Sequence, residues 1–66
     1  MLKFSGKKLE EIMIARGLGV QDIAVKIGRN KSSVSNWVNG VRTPNPKSRR
    51  KIAEVLGVTV SDLLTK

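Results

Sequence analysis

The sequence predicts an all-α fold, a compact five-helix bundle in which residues 1–66 form a single domain. Its length is that of one small domain. Apolar residues recur at helical spacing in successive segments. A glycine follows most of these segments, where a left-handed residue commonly ends a helix. We expect no strand, internal repeat or low-complexity tract.

The first predicted helix covers residues 6–16. Ser5 is a suitable N-cap, and Phe4 and Leu9 occupy the positions of a hydrophobic staple. Gly17 ends this helix. The second helix runs from about residue 20 to 27, and Gly28 ends it in a tight turn. Its buried face is predicted from the spacing of Val20, Ile23, Ala24 and Ile27.

The third predicted helix, residues 31–39, has two different sides. Asn30 is a good N-cap for it. Val34, Trp37 and Val38 lie on one side, and we expect Trp37 to pack in the core. The other side carries no acid and no large apolar group, and its side chains suit base edges in a DNA major groove. These side chains are Lys31, Ser32, Ser35, Asn36 and Asn39.

Two further helices complete the predicted bundle. The fourth has Asn45 as its cap and Pro46 in its first position, and it continues to Leu56. A short last helix begins at Thr59, which together with Asp62 has the spacing of a capping box. Helices two and three, joined at the glycine turn, have the spacing of a helix-turn-helix.

The charge favours a polyanionic partner, most often nucleic acid. The formal net charge is +8. Residues 29–51, here called the basic segment, contain seven of the thirteen lysines and arginines and none of the five acids. A field of one sign over this segment attracts phosphate groups and releases counterions.

Composition argues against several other classes of protein. The chain has no cysteine and no histidine, so the usual zinc ligands and the commonest general base are missing. We expect no enzyme activity, no metal and no cofactor. No apolar run approaches the ~20 residues of a membrane span, and the N-terminus lacks a signal-peptide core. We therefore expect a cytoplasmic, nucleoid-associated protein without a membrane partner.

Spaced residues along most of the chain resemble the lambda-repressor-like family, also called the Cro/XRE type. The resemblance covers residues 9–64 and combines helix ends with core and surface positions. The matching residues are Arg16-Gly17-Leu18, Ile23-Ala24, Lys26-Ile27-Gly28, Ser32, Val34-Ser35, Trp37, Asn39-Gly40, Arg42, Pro44, Ile52-Ala53, Leu56-Gly57-Val58 and Asp62-Leu63-Leu64.

The resemblance implies a DNA-binding domain of a transcriptional regulator, from a prokaryote, a phage or a mobile element, whose third helix enters the major groove. Relatives usually bind inverted-repeat operators as homodimers. The implied base-contacting residues are Asn30, Lys31, Ser32 and Asn36, with Ser35 beside them, and the implied phosphate-contacting residues are Asn39 and Arg42. We add Lys47 and Arg50 from their charge, and Gln21 from its place in the second helix.

Some residues depart from the pattern or favour another function. Val20 stands where many relatives have a glutamine, and Arg49 falls on the apolar face of the fourth helix, where relatives usually have leucine. Ile14 and Val25 fall where relatives are mostly polar. They keep open a protein-interaction module, such as an antitoxin that neutralises a partner, and binding to DNA without sequence preference is a third possibility. Candidates for a dimer surface are Val58, Val60 and Leu64.

Overall fold

Four α-helices form most of the fold in the computed structural model, which describes residues 2–65. They are α1 (Gly6–Ala15), α2 (Val20–Ile27), α3 (Lys31–Val38) and α4 (Pro46–Leu56). A four-residue 3₁₀ helix follows at Val60–Leu63. The antiparallel strands β1 (Lys3–Phe4) and β2 (Leu64–Thr65) pair near the two ends of the chain.

The mostly helical fold class is confirmed, but two details of the sequence-based prediction are wrong. The expected fifth α-helix is the 3₁₀ helix, and two strands are present. The predicted capping box does form, since Thr59 N donates to Asp62 Oδ2 at 3.0 Å and Asp62 N donates to Thr59 Oγ1 at 3.3 Å. The backbone then becomes extended at Leu64, which lies opposite Phe4 in the ladder. Its N–H donates to Ser61 O, and its carbonyl accepts from Lys8 Nζ at 3.0 Å.

The predicted caps hold at most helix ends. Ser5 Oγ accepts from Lys8 N at 3.1 Å at the start of α1, and Asn45 Oδ1 accepts from Ser48 N at 2.8 Å at the start of α4. Gly28 ends α2 with φ of 71°. Asn30 occupies the N-cap position of α3, but its side chain makes no capping hydrogen bond. The prediction for Asn30 is therefore right in position and wrong in mechanism.

The core draws on all four helices and on the 3₁₀ helix. α2 packs against both α3 and α4, while α1 packs against α3 and the 3₁₀ helix. Trp37 is 4% exposed, as expected for the residue that fixes α3 to the core. The fully buried side chains are Leu9, Ile23, Val34, Ile52, Leu56 and Leu63.

The start of α1 lies directly against the end of α3. A Cβ atom placed on Gly6 would collide with the carbonyl oxygens of Trp37 and Val38. Only glycine permits this approach of backbone to backbone, because a side chain would push the two helices apart. The contact fixes the C-terminal end of α3, whose outward side carries the predicted base-contacting residues.

Candidate nucleic-acid interface

The outward side of α3 has the polar character expected from the sequence. Lys31, Ser32 and Asn39 are exposed, and Ser35 and Asn36 are half-buried. These side chains lie opposite Val34 and Trp37, which are buried, so the two sides of the helix differ as predicted. The roles of these residues in contact with DNA stay predictions.

Two of these side chains are linked to each other. Asn39 Nδ2 donates a hydrogen bond to Ser35 Oγ at 3.3 Å. The bond uses one amide hydrogen of Asn39 and one lone pair of Ser35. The second amide hydrogen, the amide oxygen and the hydroxyl hydrogen are not used in it. The pair therefore offers both donors and acceptors at the C-terminal half of α3.

A polar cleft of about 400 Å³ separates α3 from the loop that follows it. Asn36 O accepts from Val41 N at 2.9 Å and from Arg42 N at 3.3 Å, so the loop folds back onto α3. This fold brings three of the predicted DNA-contacting residues around one cavity. The residues that line this first cleft are Arg29, Ser32, Ser33, Asn36, Trp37, Arg42, Thr43, Pro44 and Asn45.

A second cleft, of about 200 Å³, lies between the α2–α3 turn and the start of α4. Arg29 and Asn45 line both clefts. The four basic residues of the two clefts are Arg29, Arg42, Lys47 and Lys51, and no acid is among the residues that line them. The second cleft is lined by Ile27, Gly28, Arg29, Asn45, Lys47, Ser48 and Lys51.

Some of the predicted DNA-contacting residues lie together at the clefts, and others do not. Ser32, Asn36 and Arg42 meet at the first cleft, and Lys47 lies at the second. The remaining predicted residues line neither cleft. Among them, Asn30, Lys31, Ser35 and Asn39 belong to α3 or its ends, Gln21 is exposed on α2, and Arg50 is exposed on α4.

Gln21 lies in the least favourable electrostatic setting of the predicted phosphate contacts. The neighbouring Asp22 accepts from Gly19 N at 2.8 Å through Oδ2, which places a carboxylate at the start of α2. Asp22 stabilises the N-terminus of α2, but the same negative charge opposes a phosphate group beside Gln21.

Arg29, like Lys51, lines a cleft but is not among the DNA-contacting residues predicted from the sequence. It follows Gly28 in the α2–α3 turn, and its Cζ lies 5.9 Å from the centroid of the Trp37 ring. This is the distance of a cation–π contact. The available signal was a basic residue directly after the helix-ending glycine, but its reach to Trp37 depends on how α2 and α3 cross.

Arg49 is half-buried, as its position on the apolar face of α4 indicated. Its Nε is buried and finds no hydrogen-bond partner among residues 2–65. The cationic side chain therefore carries an unsatisfied donor on the core side of the helix, whereas Arg50, the next residue, is exposed.

The far side of the molecule is mixed in charge. A shallow groove there is lined by Lys8, Glu11, Ile12, Val58 and Asp62. The pKa of Asp62 is lowered because its carboxylate accepts hydrogen bonds from Thr59, and Lys8 adds a favourable charge. Within the described residues, no helix is long and apolar enough to cross a membrane.

Comparison with known proteins agrees with this geometry. A helix-turn-helix family model matches residues 9–63. A transcriptional regulator of the helix-turn-helix type from Bacillus subtilis, RghRB, itself uncharacterised, is 38% identical over 60 residues. The match covers 89% of this chain and 43% of that protein, so the chain spans less than half of this relative's length.

Two solved structures have the same fold. The restriction-modification controller protein C.AhdI from Aeromonas hydrophila matches with a TM-score of 0.83 and 28% identity, covering 88% of each chain. The master regulator for biofilm formation SinR, solved in complex with DNA, matches with a TM-score of 0.82 and 27% identity, covering 88% of this chain and 94% of SinR. The resemblance seen in the sequence is confirmed. This chain belongs to the helix-turn-helix family of DNA-binding regulators, of the lambda-repressor-like, Cro/XRE type.

Proposed function

We propose that this protein binds duplex DNA in a sequence-specific manner, with α3 in the major groove, and regulates transcription in a prokaryote, a phage or a mobile element. One observation carries the proposal. The acid-free, hydrogen-bonding side of α3 lies beside two clefts that hold four basic side chains. Phosphate contacts position a protein on DNA, and contacts to base edges give it specificity. This surface supplies groups for both.

The base contacts centre on Asn36 and Lys31. The Asn36 side chain suits a bidentate contact to adenine, and Lys31 can donate to guanine O6 or N7. Asn36 is half-buried, and its own carbonyl holds the loop that follows α3, so the backbone that carries this side chain is fixed before DNA binds. Asn30, Ser32 and Ser35 add shorter and less selective contacts.

The phosphate contacts come from the ends of α3 and from α4. Arg42 and Lys47 line the clefts, and Asn39 and Arg50 are exposed on either side of them. α4 begins at the second cleft, where the helix dipole favours an anion, although Pro46 has no N–H and Ser48 N already donates to Asn45 Oδ1. Gln21 completes the set with the weakest contact, because Asp22 lies next to it.

We propose a homodimer on an inverted repeat as the DNA-bound form. Two copies related by a twofold axis place their α3 helices about 34–36 Å apart in successive major grooves. The dimer candidates named from the sequence are not freely exposed. Val58 and Val60 pack partly against the core, and Leu64 pairs with Phe4. A dimer surface there uses their remaining exposed parts.

The direct test is selection of bound duplexes from a random library at moderate salt, followed by sequencing. We expect an enriched inverted repeat, which gives the half-site and the dimeric arrangement. Binding without enrichment would contradict sequence specificity and favour backbone contacts alone. Absence of binding to any duplex would contradict the proposed function.

Two substitutions separate specificity from general attraction. Asn36→Ala should cost about 1–3 kcal/mol on the selected site and relax the preference for one base pair, because it removes a base contact. Arg42→Ala should weaken binding to all duplexes alike and reduce the slope of log affinity against log salt by about one. Equal losses for Asn36→Ala on selected and random DNA, or an unchanged slope for Arg42→Ala, would remove that residue from its proposed role.

A protein-interaction module, such as an antitoxin, remains the second candidate because of two exposed aliphatic side chains. Ile14 is 70% exposed and Val25 is 74% exposed, on α1 and α2 respectively. Under this alternative, Ile14→Ser and Val25→Ser weaken binding to a protein partner and leave DNA binding unchanged. Asn36→Ala then weakens DNA binding and leaves binding to the protein partner unchanged. DNA binding and partner binding are measured for all three variants.

A further inference from the structure

We infer that Arg29 is a phosphate-binding and positioning residue, whose guanidinium lies over Trp37 in a cation–π contact and holds α3 in register against the DNA backbone. The inference rests on the proposed function, since the phosphate is that of duplex DNA. It assigns a role to a residue that lies outside the α3 surface and outside the predicted phosphate contacts.

The backbone fixes where the Arg29 side chain begins. Gly28 adopts the left-handed conformation that ends α2, and Arg29 N donates to Ala24 O at 2.9 Å. The side chain leaves this turn toward Trp37 and brings its Cζ to 5.9 Å from the ring centroid. Trp37 is 4% exposed and held in the core, so the ring provides a rigid support for the guanidinium.

The cation–π contact leaves the donors of Arg29 available. A guanidinium is planar and carries five N–H donors along its edge. A guanidinium held over an aromatic ring through its π-system therefore still has N–H donors for a bidentate contact to a phosphate group. A lysine ammonium cannot do both, because it is a compact charge without a flat face or a fixed fork.

The position of Arg29 lies at the junction of the two clefts. Among the residues that line them, only Arg29 and Asn45 are common to both. Asn45 already uses its side-chain oxygen to cap α4, accepting from Ser48 N. Arg29 is therefore the cation that the two clefts share. The first cleft also contains Arg42, and the second also contains Lys47 and Lys51. A DNA backbone crossing from one cleft to the other passes Arg29.

The contact with Trp37 links this phosphate to the reading of bases. Trp37 and Asn36 are adjacent on α3, and both line the first cleft with Arg29. A phosphate held by Arg29 thus fixes the depth and rotation of the helix that carries Asn36. Loss of Arg29 should then lower the preference for the selected sequence, in addition to weakening attraction to DNA in general.

The experiment uses the full chain and its single tryptophan as a reporter. Trp37 is the only tryptophan in the sequence, so its emission reports on the group that lies over it. The variants are Arg29→Gln, Arg29→Lys and the control Lys3→Gln, which removes the same charge from β1 and lines neither cleft. Each is titrated with the selected duplex and with a random-sequence duplex at several salt concentrations, and circular dichroism checks that each is folded.

We expect Arg29→Gln to lose about tenfold in affinity for random DNA, more for the selected duplex, and about one unit of salt slope. Its Trp37 emission should no longer change on binding. Arg29→Lys should recover the salt slope but neither the emission change nor the full preference. Lys3→Gln should resemble the wild type in all three measurements.

The outcomes distinguish the two proposals. A wild-type chain that binds the selected duplex, together with an Arg29→Gln variant equal to it in affinity, slope and emission, would overturn this inference and leave the proposed function standing. Full recovery of preference and emission by Arg29→Lys would overturn the positioning role and leave only a charge. A wild-type chain that binds no duplex would overturn both proposals.

Discussion

The helix starts inside the basic segment differ from those of its two flanking helices, α2 and the 3₁₀ helix. α3 and α4 begin at Asn30 and Asn45 and have no acid in their first turns. α2 and the 3₁₀ helix each carry an aspartate at the third position, Asp22 and Asp62, whose carboxylate accepts from the backbone N–H at the start. α1, which is more distant in the sequence, begins at the neutral Ser5 and also has no acid in its first turn, where Lys7 and Lys8 lie.

An acid at a helix start would stabilise the folded chain, but it would weaken the proposed binding of phosphate. An acid in the first turn of a helix is worth roughly 0.3–1 kcal/mol through the helix dipole. α3 and α4 forgo that gain and carry Lys31 and Lys47 in their first turns instead. α4 begins at the clefts, and α3 begins directly after Arg29, which lines both clefts, so a carboxylate at either start would oppose phosphate. The absence of an acid at these two helix starts is in line with the proposed binding of phosphate beside them.

Among the variants of these helix starts, we expect Asn45→Asp to have the largest effect on duplex affinity. Aspartate is as good an N-cap as asparagine, so the hydrogen bond from Ser48 N is kept and the free energy of unfolding should stay equal or rise. The new carboxylate lies in both clefts, and we expect duplex affinity to fall on the order of tenfold. Urea denaturation and a duplex titration measure the two effects.

Ser5→Asp is the matched control for Asn45→Asp. It places the same charge at the N-cap of α1, and Ser5 lines neither cleft. We expect equal or higher stability with little change in duplex affinity. If both variants lose the same affinity, net charge alone decides binding and the clefts have no special part in it.

Arg49→Leu tests a basic residue of the basic segment that lies on the core side of α4 and not on its exposed side. The substitution removes the buried Nε that finds no partner among the described residues, and it adds apolar surface to the core. We expect the free energy of unfolding to rise by about 1 kcal/mol. The salt slope of duplex binding should stay unchanged.

Arg50→Leu provides the contrast, since Arg50 is exposed on the same helix. We expect its stability to change by less than about 0.5 kcal/mol and its salt slope to fall by about one. The reverse result, with the slope lost in Arg49→Leu and kept in Arg50→Leu, would place the phosphate contact at Arg49.

Local signals predicted most of this fold. The bounds of α2 and α4 are as expected, while α1 and α3 each end one residue earlier than predicted. Helix periodicity, the caps at Ser5 and Asn45 and the left-handed Gly28 depend on neighbouring residues, and these are visible in the sequence. The sheet was missed because its two strands of two residues each are too short to show alternation, and they pair only after the chain has folded.

The site was predictable in part, for the same reason. The outward side of α3 follows from helical geometry alone, and its side chains were assigned from spacing. The clefts depend on tertiary structure: the carbonyl of Asn36 turns the loop back, and the crossing of α2 and α3 brings Arg29 over Trp37. Neither contact leaves a periodic signal. The exposed Gln21 was assigned although Asp22, the next residue in the sequence, places its charge beside it.

The smallest expected effect is on the pH dependence of stability, which should differ between a helix start capped by an acid and one capped by a neutral residue. The pKa of Asp62 in the folded chain lies below its ordinary value of 3.8, because Thr59 donates to the ionised carboxylate. Folding is therefore favoured by this group above the unfolded pKa, and that contribution disappears as the pH falls through the folded pKa. Asp62→Asn should reduce stability slightly at neutral pH, and the difference from the wild type should vanish in acid.

Asn45→Ala is the comparison for this titration. Asparagine does not titrate, so the loss of its cap should cost about 1 kcal/mol at every pH at which the chain folds. Urea denaturation followed by circular dichroism between neutral pH and about pH 3 measures both variants. If the difference for Asp62→Asn persists in acid as it does for Asn45→Ala, then the hydrogen bond from Thr59 does not depend on the charge of Asp62. The acidic start would then act as a neutral cap, and its aspartate would have no electrostatic advantage over the asparagines beside the clefts.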